Sequence, residues 1–114
     1  MIIYVAGAYR ADNWEEVSMN VKAAEDVSSA LLAIGYEVIC PHSMTHCWER
    51  YEFLKDDDFL RNGLALLRKC DAVYVVGDYS TSEGTKAEII EAVKIDIPVF
   101  DNFVDLQDQM PLVR

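Results

Sequence analysis

A polar loop followed by a glutamate is the part of this sequence best suited to chemistry. Segment 77–88 (Gly-Asp-Tyr-Ser-Thr-Ser-Glu-Gly-Thr-Lys-Ala-Glu) lies between an apolar run at 72–76 and an apolar helical pattern. A helix that begins near Gly84 and Thr85 offers free backbone N–H groups and the positive end of its dipole to an anion or a polar sugar. Glu88 lies one turn further on, so its carboxylate is the first candidate for a catalytic group.

These residues also have structural explanations. Most glutamates on helices are solvated, and Glu88 could be one of them. The hydroxyls of Ser80, Thr81 and Ser82 could simply cap the following helix, which is compatible with ligand binding.

The surrounding apolar pattern predicts strands that alternate with helices. Short apolar runs predict strands at 2–6, 36–40, 72–76 and 97–100. Helical spacing predicts helices from about 13 to 34, across 59–67 and after residue 84, and Gly35 is placed to end the first. Between them, His42 to about Lys55 is expected to be a polar, aromatic-rich loop, and the tail from Asp101 to be irregular or to carry one short element.

Such alternation implies a parallel sheet with right-handed crossovers. We expect a single α/β domain over residues 1–114, with a flavodoxin-like (Rossmann-like), doubly wound sheet of four or five strands. In such a sheet the turn after the first strand, Gly7 to Arg10, lies next to the loop after the third strand, so Arg10 and Ser82 could hold one anion together. Arg10 could instead pair on the surface with Asp12 or Glu16.

Composition excludes several classes of protein. The chain has 114 residues, 52% of them apolar, and a formal charge of −10, so it has material for a core but no basic stripe for duplex nucleic acid. No apolar run reaches the length of a membrane span, and the N-terminus lacks a signal-peptide pattern. The three cysteines favour reduced thiols. We therefore expect a cytoplasmic protein that binds neither duplex nucleic acid nor membrane.

Four motifs occur in order on these elements: Tyr4-Val5-Ala6-Gly7-Ala8-Tyr9-Arg10, Ile39-Cys40-Pro41-His42, Cys70-Asp71-Ala72-Val73, and Ser82-x-Gly84-Thr85-x-x-Glu88. Together they resemble the nucleoside 2-deoxyribosyltransferase superfamily over about residues 2–100. Within it the chain is similar to small bacterial and phage members and to the 2'-deoxynucleoside 5'-monophosphate N-glycosidases.

The resemblance implies a covalent mechanism that needs no cofactor. Glu88 would attack the anomeric carbon of the sugar, and Tyr4, unless it is only a core aromatic, would orient that carboxylate. Serine at position 82, where many relatives have aspartate, together with Arg10 would favour a nucleotide over a nucleoside. The same resemblance assigns Gly7, His42, Gly84 and Thr85 to substrate binding.

The sequence departs from the family pattern where many relatives place an acid for the leaving base. That position holds Gly63, preceded by Asn62, and neither can donate a proton as a carboxylic acid does. Asp58 could substitute if the run Asp56-Asp57-Asp58 turns inward. Ala8 also replaces a serine that helps to hold phosphate in the N-glycosidases.

The segment after the second strand permits two interpretations. Cys40, His42, His46 and Cys47 could bind a metal, but their spacing matches no standard zinc site, and we expect none. The resemblance instead makes this loop a wall of the base pocket, formed by His42, His46, Trp48 and Tyr51.

The resemblance further implies a homodimer, in which the segment around Asp101-Asn102 could reach a neighbouring pocket. The leading hypothesis is an enzyme that cleaves or transfers the N-glycosidic bond of 2'-deoxynucleosides or their 5'-monophosphates. The alternative, which Gly63 permits, is a non-catalytic nucleotide-binding or sensing domain that retains the pocket.

Overall fold

The computed structural model describes residues 1–112. Its strands are β1 (Ile2–Gly7), β2 (Glu37–Ile39), β3 (Ala72–Val76) and β4 (Val99–Phe100). Its helices are α1 (Trp14–Ile34), α2 (Pro41–Thr45), α3 (Asp56–Leu67), α4 (Glu83–Lys94) and α5 (Phe103–Gln109), with a 3-10 helix at His46–Arg50 between α2 and α3.

Within these residues the strands form one parallel sheet in the order β2-β1-β3-β4. This is the strand order of doubly wound, flavodoxin-like folds, and it confirms the predicted fold class. β1 and β3 are adjacent, and their register pairs Gly7 with Val76 at the carboxyl ends. The order along the sheet reverses between these two strands, where such folds place their ligands.

Alternation along β1 sends its side chains to two separate cores. Ile3 and Val5 face the core that includes Leu31 of α1 and Leu106 of α5. Tyr4 and Ala6 face the opposite core, in which the other buried members are Leu67, Cys70, Val73, Val75 and Ala92. Because successive side chains of a strand point to opposite faces, this register alone places Tyr4 on the side of α3 and α4.

The long first helix begins and ends at residues suited to those positions. The Asn13 side chain accepts a hydrogen bond from the Glu16 backbone N–H at 2.9 Å, which caps the start of α1. Gly35 ends the helix with a φ of 127°, and its N–H bonds to the carbonyls of Leu31 and Leu32. Both ends agree with the sequence prediction.

The prediction of a loop from His42 to about Lys55 was wrong for its first half. Pro41 stands at the first turn of α2, where its missing N–H costs nothing, and the 3-10 helix follows directly. These elements are one turn or slightly more in length, too short for a periodic pattern to reveal. In the tail, Asn102 caps α5 by accepting from the Asp105 N–H at 2.8 Å, so the second of the two alternatives holds there.

Across residues 1–112, every helix is too short or too polar to cross a bilayer.

Candidate active site

A cleft of about 490 Å³ opens at the carboxyl ends of β1 and β3. Its size is typical of pockets for small molecules. Four stretches of chain line it: the end of β1 with the turn to Arg10, helix α2 with the 3-10 helix, the first half of α3, and the start of α4. Of the predicted residues, it brings together Tyr4, Gly7, Arg10, His42, Ser82, Gly84, Thr85 and Glu88, and also Gly63.

Glu88 lies in the second turn of α4 and lines the deep side of this cleft. Burial raises the pKa of its carboxyl from 4.5 to about 7, because a charged carboxylate loses solvation there. A carboxyl whose pKa lies near neutrality inside a cleft is a candidate for catalysis. A solvated glutamate on a helix would instead keep a pKa near its ordinary value.

The Tyr4 hydroxyl stands beside the Glu88 carboxyl. Tyr4 is fully buried, and burial raises the pKa of its phenol so far that it stays protonated. The contact falls short of full hydrogen-bond geometry, since this hydroxyl has no hydrogen-bond partner among residues 1–112. The two groups nevertheless lie close enough for the hydroxyl to lower the pKa of the carboxyl, against the larger effect of burial. Tyr4 is therefore a hydrogen-bond donor held next to a carboxyl.

Gly63 completes this group from helix α3. A Cβ atom at this position would stand 2.7 Å from Tyr4 Oη and 3.9 Å from Glu88 Oε2. A Cβ atom does not tolerate contacts under 3 Å, and the Tyr4 side chain is fully buried in the core, so it has little room to move away. The absence of a side chain at Gly63 is thus what leaves room for the Tyr4 hydroxyl, and an acid at this position would not fit as the chain stands.

The Ser82 side chain caps the start of α4, which is one of the interpretations that the sequence allowed. The Ser82 hydroxyl accepts from the Thr85 N–H at 3.2 Å and lies 2.8 Å from Thr85 Oγ1. Thr85 is buried, whereas Gly84 is exposed and a Cβ there would meet nothing within 4 Å. This cap fixes the start of the helix that carries Glu88.

His42 forms part of the opposite wall. Its Nε2 lies 3.1 Å from the Ala8 carbonyl oxygen, which can only accept, so Nε2 carries the proton. Burial lowers the pKa of the ring and keeps it neutral, and Nδ1 has no partner within residues 1–112. The Tyr9 ring packs edge-on against His42, with centroids 5.5 Å apart, and joins the turn after β1 to α2.

Arg10 has ion-pair partners other than those considered from sequence. Its side chain lines the same cleft as Ser82, but the guanidinium pairs with Glu49 at 2.9 Å and with Asp56. Neither Asp12 nor Glu16, the surface partners considered from sequence, holds it. Both actual partners are distant in sequence, and no local spacing could have indicated them.

Asp58 is placed as a helix cap. Its carboxylate accepts from the Lys55 N–H at 2.8 Å and pairs with Arg61 at 3.0 Å, and the backbone hydrogen bond lowers its pKa. It does not line the cleft, whereas Asp56 and Asp57 do. A carboxylate stabilised in its ionised form is a poor proton donor, so the geometry gives no support to Asp58 as the acid for the leaving base.

Only part of the expected aromatic wall faces the cleft. His46 lies behind it, where Nδ1 is 2.7 Å from the Tyr9 hydroxyl, and Trp48 and Tyr51 lie outside the lining. Sequence reasoning missed cleft residues that the turn after β1, the short helices and α3 supply: Tyr9, Thr45, Glu49, Asp57, Phe59 and Leu60. No group of three or more His, Cys, Asp or Glu side chains within residues 1–112 is arranged to hold a metal ion.

Residues 1–102 match the model of a family described as "Domain of unknown function (DUF7768)". The chain belongs to the DUF7768 family. No curated protein matches it. Among solved structures, the DUF7768 chain is similar to a 2-deoxyribosyltransferase from the psychrotolerant bacterium Bacillus psychrosaccharolyticus, with 24% identity and a TM-score of 0.62 over 87% of this chain and 69% of that one. The two proteins share a fold, and the fold is the deoxyribosyltransferase-like one that the sequence motifs resemble.

The tight contact at Gly63 yields a prediction for the stability of this DUF7768 protein. Gly63→Ala places a methyl group against Tyr4 Oη, and we expect a loss of about 1–3 kcal/mol in the free energy of unfolding, measured by urea denaturation. Gly84→Ala is the matched control, since it adds the same methyl group to a helix with open space around it. Equal stabilities of the two variants would contradict the close approach.

The raised pKa of Glu88 yields a second prediction. The folded protein holds a proton that the unfolded chain releases near pH 4.5, so this carboxyl makes stability fall as pH rises from about 4.5 to about 7. A pKa difference of this size corresponds to a change of about 3 kcal/mol at most in the free energy of unfolding. Glu88→Gln removes the effect and is expected to be the more stable protein above pH 7. Urea unfolding of both proteins from pH 5 to pH 8 measures the difference, and parallel pH profiles would contradict a raised pKa of Glu88.

Proposed function

We propose that this protein cleaves or transfers the N-glycosidic bond of a 2'-deoxynucleoside or its 5'-monophosphate, with Glu88 as the nucleophile. The observation that carries the proposal is a partly buried carboxyl beside a tyrosine hydroxyl at the floor of a cleft, at the switch point of a deoxyribosyltransferase-like fold. The similar structure is that of a 2-deoxyribosyltransferase, which suggests the substrate class.

In the proposed reaction, the ionised Glu88 carboxylate attacks the anomeric carbon. A carbon–oxygen ester bond forms while the carbon–nitrogen bond to the base breaks, and its electron pair leaves with the base. Water or a second base then attacks the same carbon and releases Glu88. Tyr4 contributes a donor that orients the carboxylate and favours its ionised form.

The departing base must take its proton from somewhere other than position 63, because Gly63 carries no acid. Asp58 is engaged as a cap, so solvent is the simplest source. We therefore expect slow turnover, and faster turnover for bases that are stable as anions or already protonated. The absence of an acid at Gly63 also favours one second candidate, a domain that binds the nucleoside or nucleotide without efficient cleavage.

The assay is release of free base from a panel of 2'-deoxynucleosides, ribonucleosides and their 5'-monophosphates, followed by chromatography with and without an acceptor base. Glu88→Ala should reduce release from the accepted substrate by about a thousandfold or more. Glu91→Ala serves as control, because Glu91 lies on the same helix but pairs with Arg68 outside the cleft. If the wild type releases no free base but still binds the ligand, the second candidate, binding without efficient cleavage, is the function that remains.

The contact between Tyr4 and Glu88 predicts a shift in the pH profile of the reaction. Because the nucleophile must be ionised, kcat/KM should rise with pH to a plateau above about pH 7, the pKa of Glu88. Tyr4→Phe removes the group that lowers this pKa, so the rise should move to higher pH as well as lower the rate.

Tyr36→Phe is the matched control for this shift. Tyr36 is a buried tyrosine of the other core, and its hydroxyl donates to the Met110 carbonyl at 2.7 Å. It should lower stability and leave the midpoint of the pH profile in place. A midpoint that stays unchanged in Tyr4→Phe would show that Tyr4 does not act on the carboxyl.

A further inference from the structure

The ionisable groups that line the cleft are strongly unbalanced in sign. One guanidinium, that of Arg10, stands against five carboxyl groups. The carboxyl groups belong to Glu49, Asp56, Asp57, Glu83 and Glu88. His42 adds no positive charge, because burial keeps its ring neutral. The cleft is therefore a region of negative potential, in agreement with the formal charge of −10 on the chain.

Arg10 is not available as a free cation for a ligand. Its NH1 pairs with Glu49 Oε2 at 2.9 Å, and its NH2 pairs with Asp56. The Glu49 side chain is only 17% exposed, against 58% for Arg10 and 81% for Asp56. The Asp56 pair is thus a solvated surface contact, whereas Glu49 is held under the guanidinium and is the stronger partner.

We propose that Glu49 is a specificity-determining residue, which neutralises Arg10 and makes this cleft bind an uncharged nucleoside in preference to the same nucleoside with a 5'-phosphate. The proposal rests on the proposed function for the class of substrate, and it reverses the sequence expectation that Arg10 and Ser82 select a nucleotide.

A cavity of this volume is about 10 Å across, so a phosphate bound in it lies within about one Debye length, at 0.1 M salt, of the carboxylates that line the cleft. To bind Arg10, a phosphate must compete with the partly buried carboxylate of Glu49 for the charge of the guanidinium. The uncharged hydroxyls of Thr45, Thr81 and Ser82 present no such barrier to a sugar hydroxyl.

Binding without turnover provides the test. Dissociation constants for the four common 2'-deoxynucleosides and their 5'-monophosphates are measured by isothermal titration calorimetry in the Glu88→Gln protein, with and without Glu49→Gln. We expect the best nucleoside to bind about tenfold or more tightly than its monophosphate, and Glu49→Gln to improve monophosphate binding about tenfold with little effect on the nucleoside.

Asp108→Asn is the matched control, because it removes one carboxylate from α5, outside the cleft lining, and should leave the ratio unchanged. High salt should reduce the ratio of the monophosphate dissociation constant to the nucleoside dissociation constant when Glu49 is present. The same change in salt should affect that ratio less in the Glu49→Gln protein. A monophosphate that binds more tightly than its nucleoside, a ratio unaffected by Glu49→Gln, or no binding of either compound would overturn the proposal. Selective nucleoside binding by a wild type that releases no base would instead refute the proposed cleavage and leave the role of Glu49 standing.

Discussion

The close approach of helix α3 to strand β1 at Gly63 is the constraint on which the candidate site depends. A side chain at this position would occupy the space of the Tyr4 hydroxyl, so its absence lets a buried tyrosine reach the floor of the cleft. Alternation along β1 directs Tyr4 to that side, and the cap at Ser82 fixes the helix that brings Glu88 to meet it. One missing Cβ atom therefore determines which polar groups can be neighbours here.

This arrangement has an electrostatic consequence. Glu88 loses solvation, and among residues 1–112 only the hydroxyl of Tyr4 favours its charged form, so its pKa rises to about 7. The nearest guanidinium among the cleft residues, that of Arg10, is paired with Glu49 and Asp56. A carboxylate that is poorly solvated and without a cation is destabilised in the resting protein. The formation of an ester bond would relieve that destabilisation, which is the property expected of a nucleophile.

The sequence was sufficient for features that are encoded locally. The apolar run of β3, the Asn13 and Gly35 ends of α1 and the cap at Ser82 each depend on a few adjacent residues. The motif from Ser82 to Glu88 likewise stays within two helical turns. The adjacency of β1 and β3 followed from the general rules for doubly wound α/β sheets, which restrict the possible topologies to a small number.

The features that the sequence did not predict depend on contacts between distant segments. Arg10 finds its partners about 40 residues away, and the space that Gly63 leaves for Tyr4 depends on a contact between α3 and β1. Helix geometry gives the three consecutive aspartates different roles. Asp58 accepts a hydrogen bond from the Lys55 N–H at the start of α3, whereas Asp56 and Asp57 line the cleft. No pattern of residue types shows which carboxylate becomes the cap until the first residue of the helix is known.

The walls of the cleft differ in how they are held, and this difference bears on what each can do. The floor is formed by Tyr4, which belongs to the second core, and by Gly63 and Glu88 beside it, so Tyr4 cannot move without repacking that core. The wall formed by α2 and the 3-10 helix is tied to the turn after β1 by polar and ring contacts, among them the His42 bond to Ala8, the Tyr9 bond to His46 and the Arg10 pair with Glu49. Short elements held by a few polar contacts open more easily than a packed core. The proposed chemistry therefore uses the packed floor, whereas the proposed choice of ligand, including the role of Glu49, uses the wall of short elements.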